Sequence, residues 1–268
     1  MSGPSRSVLY DELPFWSAPF GLVLLDTVRL RKHMLALDIG CGGGFPMLEL
    51  AGRLDADSHI TGLDPSDDAL EMVKEKISAR GVKNASVIKG RGEAMPFGDS
   101  GFDLITSNNG LNNVEDQARV LSECFRVSKQ GAQMVLTMNL PHTMIEFYDA
   151  LRQVLKEMGM DDAIRDMEVH ISEKRKPVDY LKDLIFASGF HIKAILIDGF
   201  KYRFASPQAF FEHYLIRNFF LPSWKSFMPG EKQGVIFDDT TKILDTEVKE
   251  KGFFECSIPF ACFDCLRP

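Results

Sequence analysis

The sequence predicts an α/β fold in which a largely parallel sheet is flanked by helices. The main indication is the stretch at residues 35–46, which has the pattern of a buried strand, a glycine turn and the start of a helix. A second apolar strand at residues 59–64 ends in an acid and precedes a helical pattern at residues 69–80. Alternating short strands and helices are typical of βαβ units, whose strands run parallel.

The same alternation continues along the chain. The first strand is predicted at residues 34–39 and the helix after its glycine turn at 47–54. Further strands are predicted at residues 85–89, 102–107, 133–138, 190–197 and 255–266, and further helices at 120–127, 143–158, 177–188, 209–220 and 237–251. Pro14 and Pro19 are expected to interrupt any long helix, so the N-terminal helix is predicted only from Phe20 to Leu30. The charged segment between the helices at 143–158 and 177–188 is expected to be exposed. About sixty residues separate the last two strands, and we expect this insertion to form a helical cap.

Composition limits the class of protein and its partners. The chain has 268 residues, of which 45% are hydrophobic, enough for one large domain with an insertion. A net charge of −7 argues against non-specific nucleic-acid binding. No apolar run approaches the ~20 residues that a membrane span needs. The first residues lack the apolar core of a secretory signal, so we expect a cytoplasmic protein without a membrane partner.

The five cysteines are an odd number and suggest no disulfide framework. Cys262 and Cys265 have the spacing of a metal or redox pair. The alternating pattern around them is typical of a strand, however, and residues three apart on a strand face opposite sides. The sequence therefore favours packed, reduced thiols over a metal site.

The glycine turn after the first strand is the main candidate ligand site. Gly40 and Gly42 fill the first and third positions of a dinucleotide fingerprint, but Phe45 stands where its last glycine belongs. Asp38 would also lie close to a pyrophosphate and repel it. A ligand with a cationic centre and no phosphate, such as S-adenosylmethionine, avoids this repulsion. A glycine cluster can also serve only a tight structural turn.

The pattern Asp38-x-Gly40-x-Gly42-x-Gly44 resembles the first motif of class I S-adenosylmethionine-dependent methyltransferases. Further motifs of that family follow in order as far as Gly131, and they are most similar to the ubiquinone and menaquinone C-methyltransferase-like branch (methyltransferase type 11). The resemblance implies a Rossmann-like, seven-stranded sheet flanked by helices. It also implies S-adenosyl-L-methionine as cofactor and direct methyl transfer to a small molecule.

The resemblance and the strand ends together predict a cofactor site. In the first loop it comprises Asp38, Gly40, Cys41 and Gly42. Asp64, followed by Pro65, is placed to accept hydrogen bonds from ribose hydroxyls, because an acid at the end of the second strand has that position in doubly wound folds. Alternatively, Asp64 caps the next helix, although Ser66 or Asp67 could do so equally well.

Two later loops complete the predicted cofactor site. Residues 90–97 resemble the loop that contacts adenine in the family, but Arg91 replaces the usual Asp. The backbone of Arg91 and Gly92, or the side chain of Glu93, is expected to contact adenine instead. Carbonyl groups at Ser107 and Asn108 are expected to accept from the methionine amino group. The asparagines after this strand can also be turn formers.

The substrate side is predicted from aromatic residues. Phenylalanines and tyrosines at helical spacing over 209–220 suggest an apolar or aromatic substrate, although such a pattern is also typical of a core. The candidates for substrate contact are Tyr10, Trp16, Tyr202, Arg203, Tyr214 and Arg217. Tyr10 and Trp16 belong to an N-terminal arm that could cover the cofactor or simply pack, and the two arginines could bind a carboxylate.

The catalytic group and the domain limits are less clearly indicated. His33, His142, His170 and His213 are possible bases, and His213 is favoured for its place in the cap. The predicted division is an arm at 1–30, a cofactor-binding core at 31–200, a substrate cap at 201–252 and a last core strand at 253–268. Two alternatives remain, a non-catalytic S-adenosylmethionine-binding module and a nicotinamide-dependent oxidoreductase. The sequence does not predict an oligomeric state.

Overall fold

A computed structural model describes residues 14–268. Its strands are β1 (Leu35–Ile39), β2 (His59–Asp64), β3 (Ala85–Lys89), β4 (Phe102–Asn108), β5 (Ser128–Asn139), β6 (His191–Phe204) and β7 (Phe254–Leu266). They form one sheet in the order β3-β2-β1-β4-β5-β7-β6. The first five strands pair in parallel, whereas β7 runs antiparallel to β5. The predicted seven-stranded Rossmann-like sheet is confirmed.

Helices connect these strands. They are α1 (Pro14–Thr27), α2 (Met47–Arg53), α3 (Asp67–Arg80), α4 (Gln117–Val127), α5 (Ile145–Glu157), α6 (Asp161–Lys174), α7 (Val178–Ala187), α8 (Pro207–Glu212), α9 (Leu221–Ser226) and α10 (Gln233–Lys251). A π-helical turn lies at Ile216–Phe220, between α8 and α9. Among residues 14–268, no helix has the length and apolar character needed to cross a membrane.

Contacts divide the chain into two compact units. The first runs through Asn139 and includes Pro177–Ile197 and Phe260–Pro268. The second contains Leu140–Lys176 and Asp198–Pro259. The second unit thus includes α5 and α6 as well as the residues between the last two strands. The substrate role predicted for residues 201–252 stays a prediction.

Each unit has its own apolar core. In the first unit, Ala36 on β1 and Ile60 on β2 are fully buried beneath Leu24 of α1. In the second, the rings of Phe147 and Trp224 stack with centroids 4.0 Å apart, and Phe210 is fully buried beside them. The aromatic residues predicted over 209–220 are therefore partly core, as the alternative interpretation holds.

The prolines were expected to interrupt any long helix in the N-terminal segment, but helix α1 contains both of them. The helix begins at Pro14 and continues through Pro19 to Thr27. Proline lacks an N–H group, so Pro19 removes one hydrogen bond from the helix. The buried side chains of Phe20, Leu24 and Leu25 fix the helix on the core, and this burial outweighs the single lost bond.

One further expectation about helices is incomplete and another is wrong. Most residues between α5 and α7 are exposed, as expected, but the segment also contains α6, which buries Ala163, Met167 and Ile171 at a spacing of four residues. The helix predicted over 209–220 is broken at His213, where ψ is 130°. The apolar pattern continues across this break without a glycine or proline to mark it, so the sequence gives no local sign of the interruption.

Candidate functional site

The glycine loop joins β1 to α2 at the carboxyl end of β1. The N–H groups of Gly40 and Cys41 both donate to the carbonyl oxygen of Leu63, at 2.8 and 3.2 Å, which fixes the loop on the end of β2. Gly42 has a φ of +49°, a conformation that favours glycine. A Cβ atom there would meet no described atom closer than 4.0 Å. This side of the loop is therefore open to a ligand.

A second glycine brings the loop after β4 against the glycine loop. A Cβ atom on Gly110 would lie 2.8 Å from the carbonyl oxygen of Ile39 and 2.7 Å from Oγ of Ser107. No side chain fits in that space. The two backbones also meet at Gly40, where an added Cβ would lie 3.3 Å from Cα of Gly110. Gly110 was not among the predicted site residues.

Asp38 is a buried acid on β1, with only 1% of its surface exposed. Its Oδ1 accepts a hydrogen bond from the Thr106 hydroxyl at 2.7 Å, because the two residues are partners in the β1–β4 register. Burial raises the pKa of the Asp38 carboxyl to about 7; the Thr106 bond opposes the shift and the charge of Asp64 adds to it. A positive charge nearby would favour its ionised form. Thr106 was not predicted, although a polar residue in a buried strand is a usable signal.

Asp64 links the glycine loop to the start of α3. Its Oδ2 accepts from the Gly42 N–H and its Oδ1 from the Ser66 N–H, both at 2.9 Å. Ser66 is itself the N-cap of α3, since its hydroxyl accepts from the N–H of Ala69. The alternative that Asp64 caps this helix is therefore wrong. Each carboxylate oxygen can accept a second hydrogen bond, so Asp64, followed by the exposed Pro65, can also bind ligand hydroxyls.

The loop after β3 places Arg91 between two acids. Nη2 of Arg91 lies 2.9 Å from Oε1 of Glu115, and its Nε lies 3.6 Å from Oε2 of Glu93. Gly92 packs its backbone against α4, where an added Cβ would lie 3.1 Å from Cγ2 of Val120. Arg91 thus joins this loop to the turn before α4 by exposed ion pairs. At the position where the family usually has Asp, this chain therefore has an arginine with a structural role.

Ser107 and Asn108 end β4, and both side chains bond to the protein. The Ser107 hydroxyl donates to the carbonyl oxygen of Ile39 at 2.8 Å. Nδ2 of Asn108 donates to the carbonyl oxygen of Ser17 at 3.1 Å, and its Oδ1 accepts from the Thr137 hydroxyl at 2.8 Å. The Asn108 side chain therefore connects α1, β4 and β5.

Helix α1 packs directly on the glycine loop. A Cβ atom on Gly21 would lie only 2.3 Å from Cε1 of Phe45. Trp16 is buried, and its ring centroid lies 5.6 Å from that of Phe20, so it contributes to packing. Tyr10, the other predicted lid residue, lies outside the described residues.

An aromatic cluster in the second unit surrounds His213. Ring centroids of Tyr214, Phe204 and Tyr202 lie 4.6, 5.4 and 6.2 Å from that of His213. Nδ1 of His213 is buried and has no hydrogen-bond partner among the described residues. Burial lowers the pKa of His213, and burial together with Tyr214 raises the pKa of Tyr202. Both side chains are therefore uncharged at neutral pH.

The two predicted substrate arginines already have carboxylate partners. Nε of Arg203 lies 2.7 Å from Oε2 of Glu255, and its guanidinium carbon lies 4.9 Å from the ring centroid of Phe253. Nη1 of Arg217 lies 3.5 Å from Oε2 of Glu212. Both arginines are exposed, and their binding of a substrate carboxylate stays a prediction.

The remaining histidines differ in environment. Burial, followed by the positive charges of Arg175 and Lys174, lowers the pKa of His170 to about 4. His33 and His142 are exposed. Of the four candidate bases, His213 is the one whose ring lies within an aromatic cluster that contains other predicted substrate residues.

All five cysteines are buried, free thiols. Burial raises the pKa of each thiol, to about 11 for Cys262. Sγ of Cys262 lies 3.7 Å from the Thr27 hydroxyl oxygen. The five cysteine side chains are thus packed in the interior, which agrees with the packing that the strand pattern predicts.

Comparison with known proteins identifies a family. A family model described as a methyltransferase domain matches residues 30–183. The matched range is more than half of the chain and includes β1 to β5. It therefore contains the glycine loop and every predicted cofactor-binding residue.

Curated relatives match a shorter part of the chain. A demethylmenaquinone methyltransferase of Listeria monocytogenes is 36% identical over 110 residues, which cover 41% of this chain and 46% of the relative. One of Geobacillus kaustophilus is 35% identical over 112 residues, covering 42% and 48%. The chain spans about half the length of the curated relatives it matches.

Solved structures share the fold at lower sequence identity. A putative methyltransferase of Bacillus halodurans has a TM-score of 0.62 at 20% identity, with coverage of 92% of this chain and 98% of that one. A phosphoethanolamine N-methyltransferase of Haemonchus contortus in complex with S-adenosyl-L-methionine has a TM-score of 0.56 at 15% identity, covering 92% and 52%. At these identities the likeness concerns the fold.

Proposed function

The chain belongs to the methyltransferase domain family, and on this premise we propose that it transfers a methyl group from S-adenosylmethionine to a small apolar or aromatic molecule. Membership confirms the resemblance to class I S-adenosylmethionine-dependent methyltransferases and the cofactor of that family. The observation that carries the proposal is the pair of carboxyl groups, Asp38 and Asp64, beside an open glycine loop.

The chemistry of this site fits the cofactor. Asp64 is near enough to Asp38 for its charge to raise the pKa of the Asp38 carboxyl, so a cationic ligand relieves their repulsion. Asp64 keeps acceptor capacity for hydroxyl groups. A pyrophosphate would add negative charge to the same place. These features support S-adenosylmethionine over a nicotinamide dinucleotide.

The remaining cofactor contacts are assigned by position. We assign the backbone of Gly40, Cys41 and Gly42 to the methionine end and Asp64 with Pro65 to the ribose. Arg91, Gly92 and Glu93 would lie beside adenine, and the carbonyl groups of Ser107 and Asn108 would accept from the amino group. When bound, the cofactor supplies an electrophilic methyl group on a sulfonium. The chain then has to align its substrate and exclude water.

The aromatic cluster around His213 is the proposed substrate contact in the second unit. Tyr202 and His213 are uncharged, and the ring of His213 lies beside those of Tyr202 and Tyr214, which suits an apolar or aromatic molecule. The curated relatives are named for a quinone substrate, which supports the same class. Where the substrate must lose a proton, His213 is the proposed base. Contacts from Tyr10 and Trp16 and a cytoplasmic location stay predictions.

Calorimetry tests the cofactor. S-adenosylmethionine and S-adenosylhomocysteine should bind to the purified chain, whereas NAD should not. Tight NAD binding without a response to S-adenosylmethionine would reject the proposal in favour of an oxidoreductase.

A transfer assay tests the reaction. Methyl-labelled S-adenosylmethionine is supplied with a panel of quinols and phenols and with a metabolite extract, and label should appear in an apolar product. His213→Gln and Tyr214→Ala should lower transfer without changing cofactor affinity. Cofactor binding with blank transfer on every substrate would favour the non-catalytic module.

A further inference from the structure

Arg175 occupies a buried position in the second unit, and it has no negative partner among residues 14–268. It follows α6 directly and is 3% exposed. Nη1 donates to the Tyr148 hydroxyl oxygen at 3.1 Å, and the guanidinium carbon lies 5.2 Å from the Tyr148 ring centroid. Nε is buried without a hydrogen-bond partner, and no acid among residues 14–268 forms an ion pair with this arginine.

The described side chains that bond to Tyr148 are both donors. The indole Nε1–H of Trp224 donates to the same Tyr148 oxygen at 2.9 Å. Indole and guanidinium groups can only donate, so the Tyr148 oxygen accepts both bonds. Its own hydroxyl hydrogen must then be donated elsewhere, and the described part of the chain offers it no acceptor. Tyr148 and Trp224 are both fully buried.

The unused edge of the guanidinium has a defined shape. Its Nε–H and Nη2–H bonds point the same way from the planar group, and neither reaches a described acceptor. Two parallel N–H groups match the two oxygens of a carboxylate or a phosphate. Because a buried cation without a counter-charge is costly, an anion at this edge would stabilise the unit.

Positive charges outnumber negative ones around this position. The positive charges of Arg175 and Lys174 both lower the pKa of His170, and only the exposed Glu173 opposes them. His170 is therefore uncharged and does not compete for an anion. Arg203 and Arg217, which the sequence suggested as carboxylate binders, are already paired with acids.

We propose that Arg175 and Tyr148 form a binding site for an oxyanion group, the carboxylate or phosphate of a small-molecule ligand. The guanidinium edge receives two oxygens, and the Tyr148 hydroxyl donates a further hydrogen bond. The site lies within the second unit and is independent of the cofactor assignment, so its test does not require methyl transfer.

The test uses the Trp224 indole as a local reporter. The chain has two tryptophans, so the Trp224 Nε1–H signal in an NMR spectrum can be assigned with Trp16→Phe. Sodium acetate, inorganic phosphate and sodium chloride are titrated separately at constant ionic strength, and the thermal midpoint is measured in parallel. Acetate or phosphate should shift the Trp224 signal saturably and raise the midpoint, and comparing the two identifies the preferred group.

Variants locate the site. Arg175→Gln should weaken the preferred anion at least tenfold, and Tyr148→Phe should weaken it by a smaller factor. Arg165→Gln is the matched control, because it removes the same charge from an exposed position on α6 and should leave the titration unchanged. If Arg175→Gln does not fold, Arg175→Lys keeps the charge but removes the two-donor edge, and it should also bind more weakly.

Three results would overturn the proposal. The first is that neither oxyanion shifts the Trp224 signal saturably in the wild-type chain. The second is that chloride acts as strongly as both oxyanions, which would mean a site for any small anion. The third is that the Arg175 variants bind as tightly as the wild type.

Discussion

Replacing Asp64 by asparagine separates its structural role from its proposed role in cofactor binding. The substitution keeps the size of the side chain but leaves one carbonyl oxygen and an NH₂ group. Two backbone N–H groups, those of Gly42 and Ser66, each lie 2.9 Å from a carboxylate oxygen. Only one of them can keep an acceptor, because the other would face the new NH₂ donor.

The magnitude follows from the bonds that are lost. A hydrogen bond to a charged group contributes about 1.5–3 kcal/mol, so the lost backbone bond should lower the free energy of unfolding by about that amount. Loss of one bond to a ribose hydroxyl should weaken the cofactor by a similar free energy, about 10-fold to 150-fold in the dissociation constant.

The assay is calorimetry with S-adenosylmethionine, alongside thermal unfolding. Asp68→Asn is the matched control, because it makes the same change at an exposed position in the first turn of α3. It should leave both quantities within error of the wild type. Wild-type affinity in Asp64→Asn would refute the assignment of this residue to the cofactor, and unchanged stability would refute the role of its backbone bonds.

Four further predictions concern three other positions, Gly110, Asp38 and Trp224. Gly110→Ala should lower the free energy of unfolding by about 1–3 kcal/mol, because the added Cβ would lie 2.8 Å from the Ile39 carbonyl oxygen. The control is Gly98→Ala, whose Cβ would have no atom within 4 Å. In the same denaturant titration, this variant should have nearly the stability of the wild type. The pKa of the Asp38 carboxyl is about 7 in the folded chain, whereas its ordinary value is 3.8. As the pH is raised, the unfolded chain therefore loses this proton before the folded chain does. Between about pH 4 and about pH 7, the free energy of unfolding of the wild type should therefore fall relative to that of Asp38→Asn, by about 4 kcal/mol at most. If the free energies of the two proteins change with pH in parallel, the prediction is contradicted. In wild type, affinity for S-adenosylmethionine should rise with pH through about 7 and then level, and a flat calorimetric profile would argue against contact between Asp38 and the cation. Trp224→Ala should destabilise the second unit by about 3–5 kcal/mol, because a fully buried ring that stacks on Phe147 is lost. The control is Phe186→Ala, which should change the thermal midpoint little because the Phe186 side chain is 73% exposed.

The sheet and the first two loops could be predicted because their signals are local. Around Gly40 and Asp64, the strand, the glycines and the acid follow one another in the sequence and indicate where the loops lie; their role in cofactor binding stays a proposal. The limits of β2 and β3 agree with those expected, because both strands are bounded by polar or turn residues. Thr106 and Gly110 were missed because their importance depends on partners in another strand, Asp38 and Ile39.

The second unit was harder to predict because its signals are not local. The three buried residues of α6 are spread among charged neighbours, so the segment has the composition of an exposed linker. Within the run Lys174-Arg175-Lys176, the sequence does not indicate which cation points inward. The structure buries Arg175 alone of the three, against Tyr148, which lies 27 positions earlier in the chain.

The place of β7 in the sheet has a consequence for synthesis. β7 is the last strand in the sequence, yet it pairs with β5 across seven residue pairs and separates β5 from β6. As the chain leaves the ribosome, the edge of β5 stays uncovered until residues 254–266 have emerged. An uncovered strand edge can pair with other chains, so a nascent chain stalled before this point should depend on chaperones more than one in which β7 has already paired.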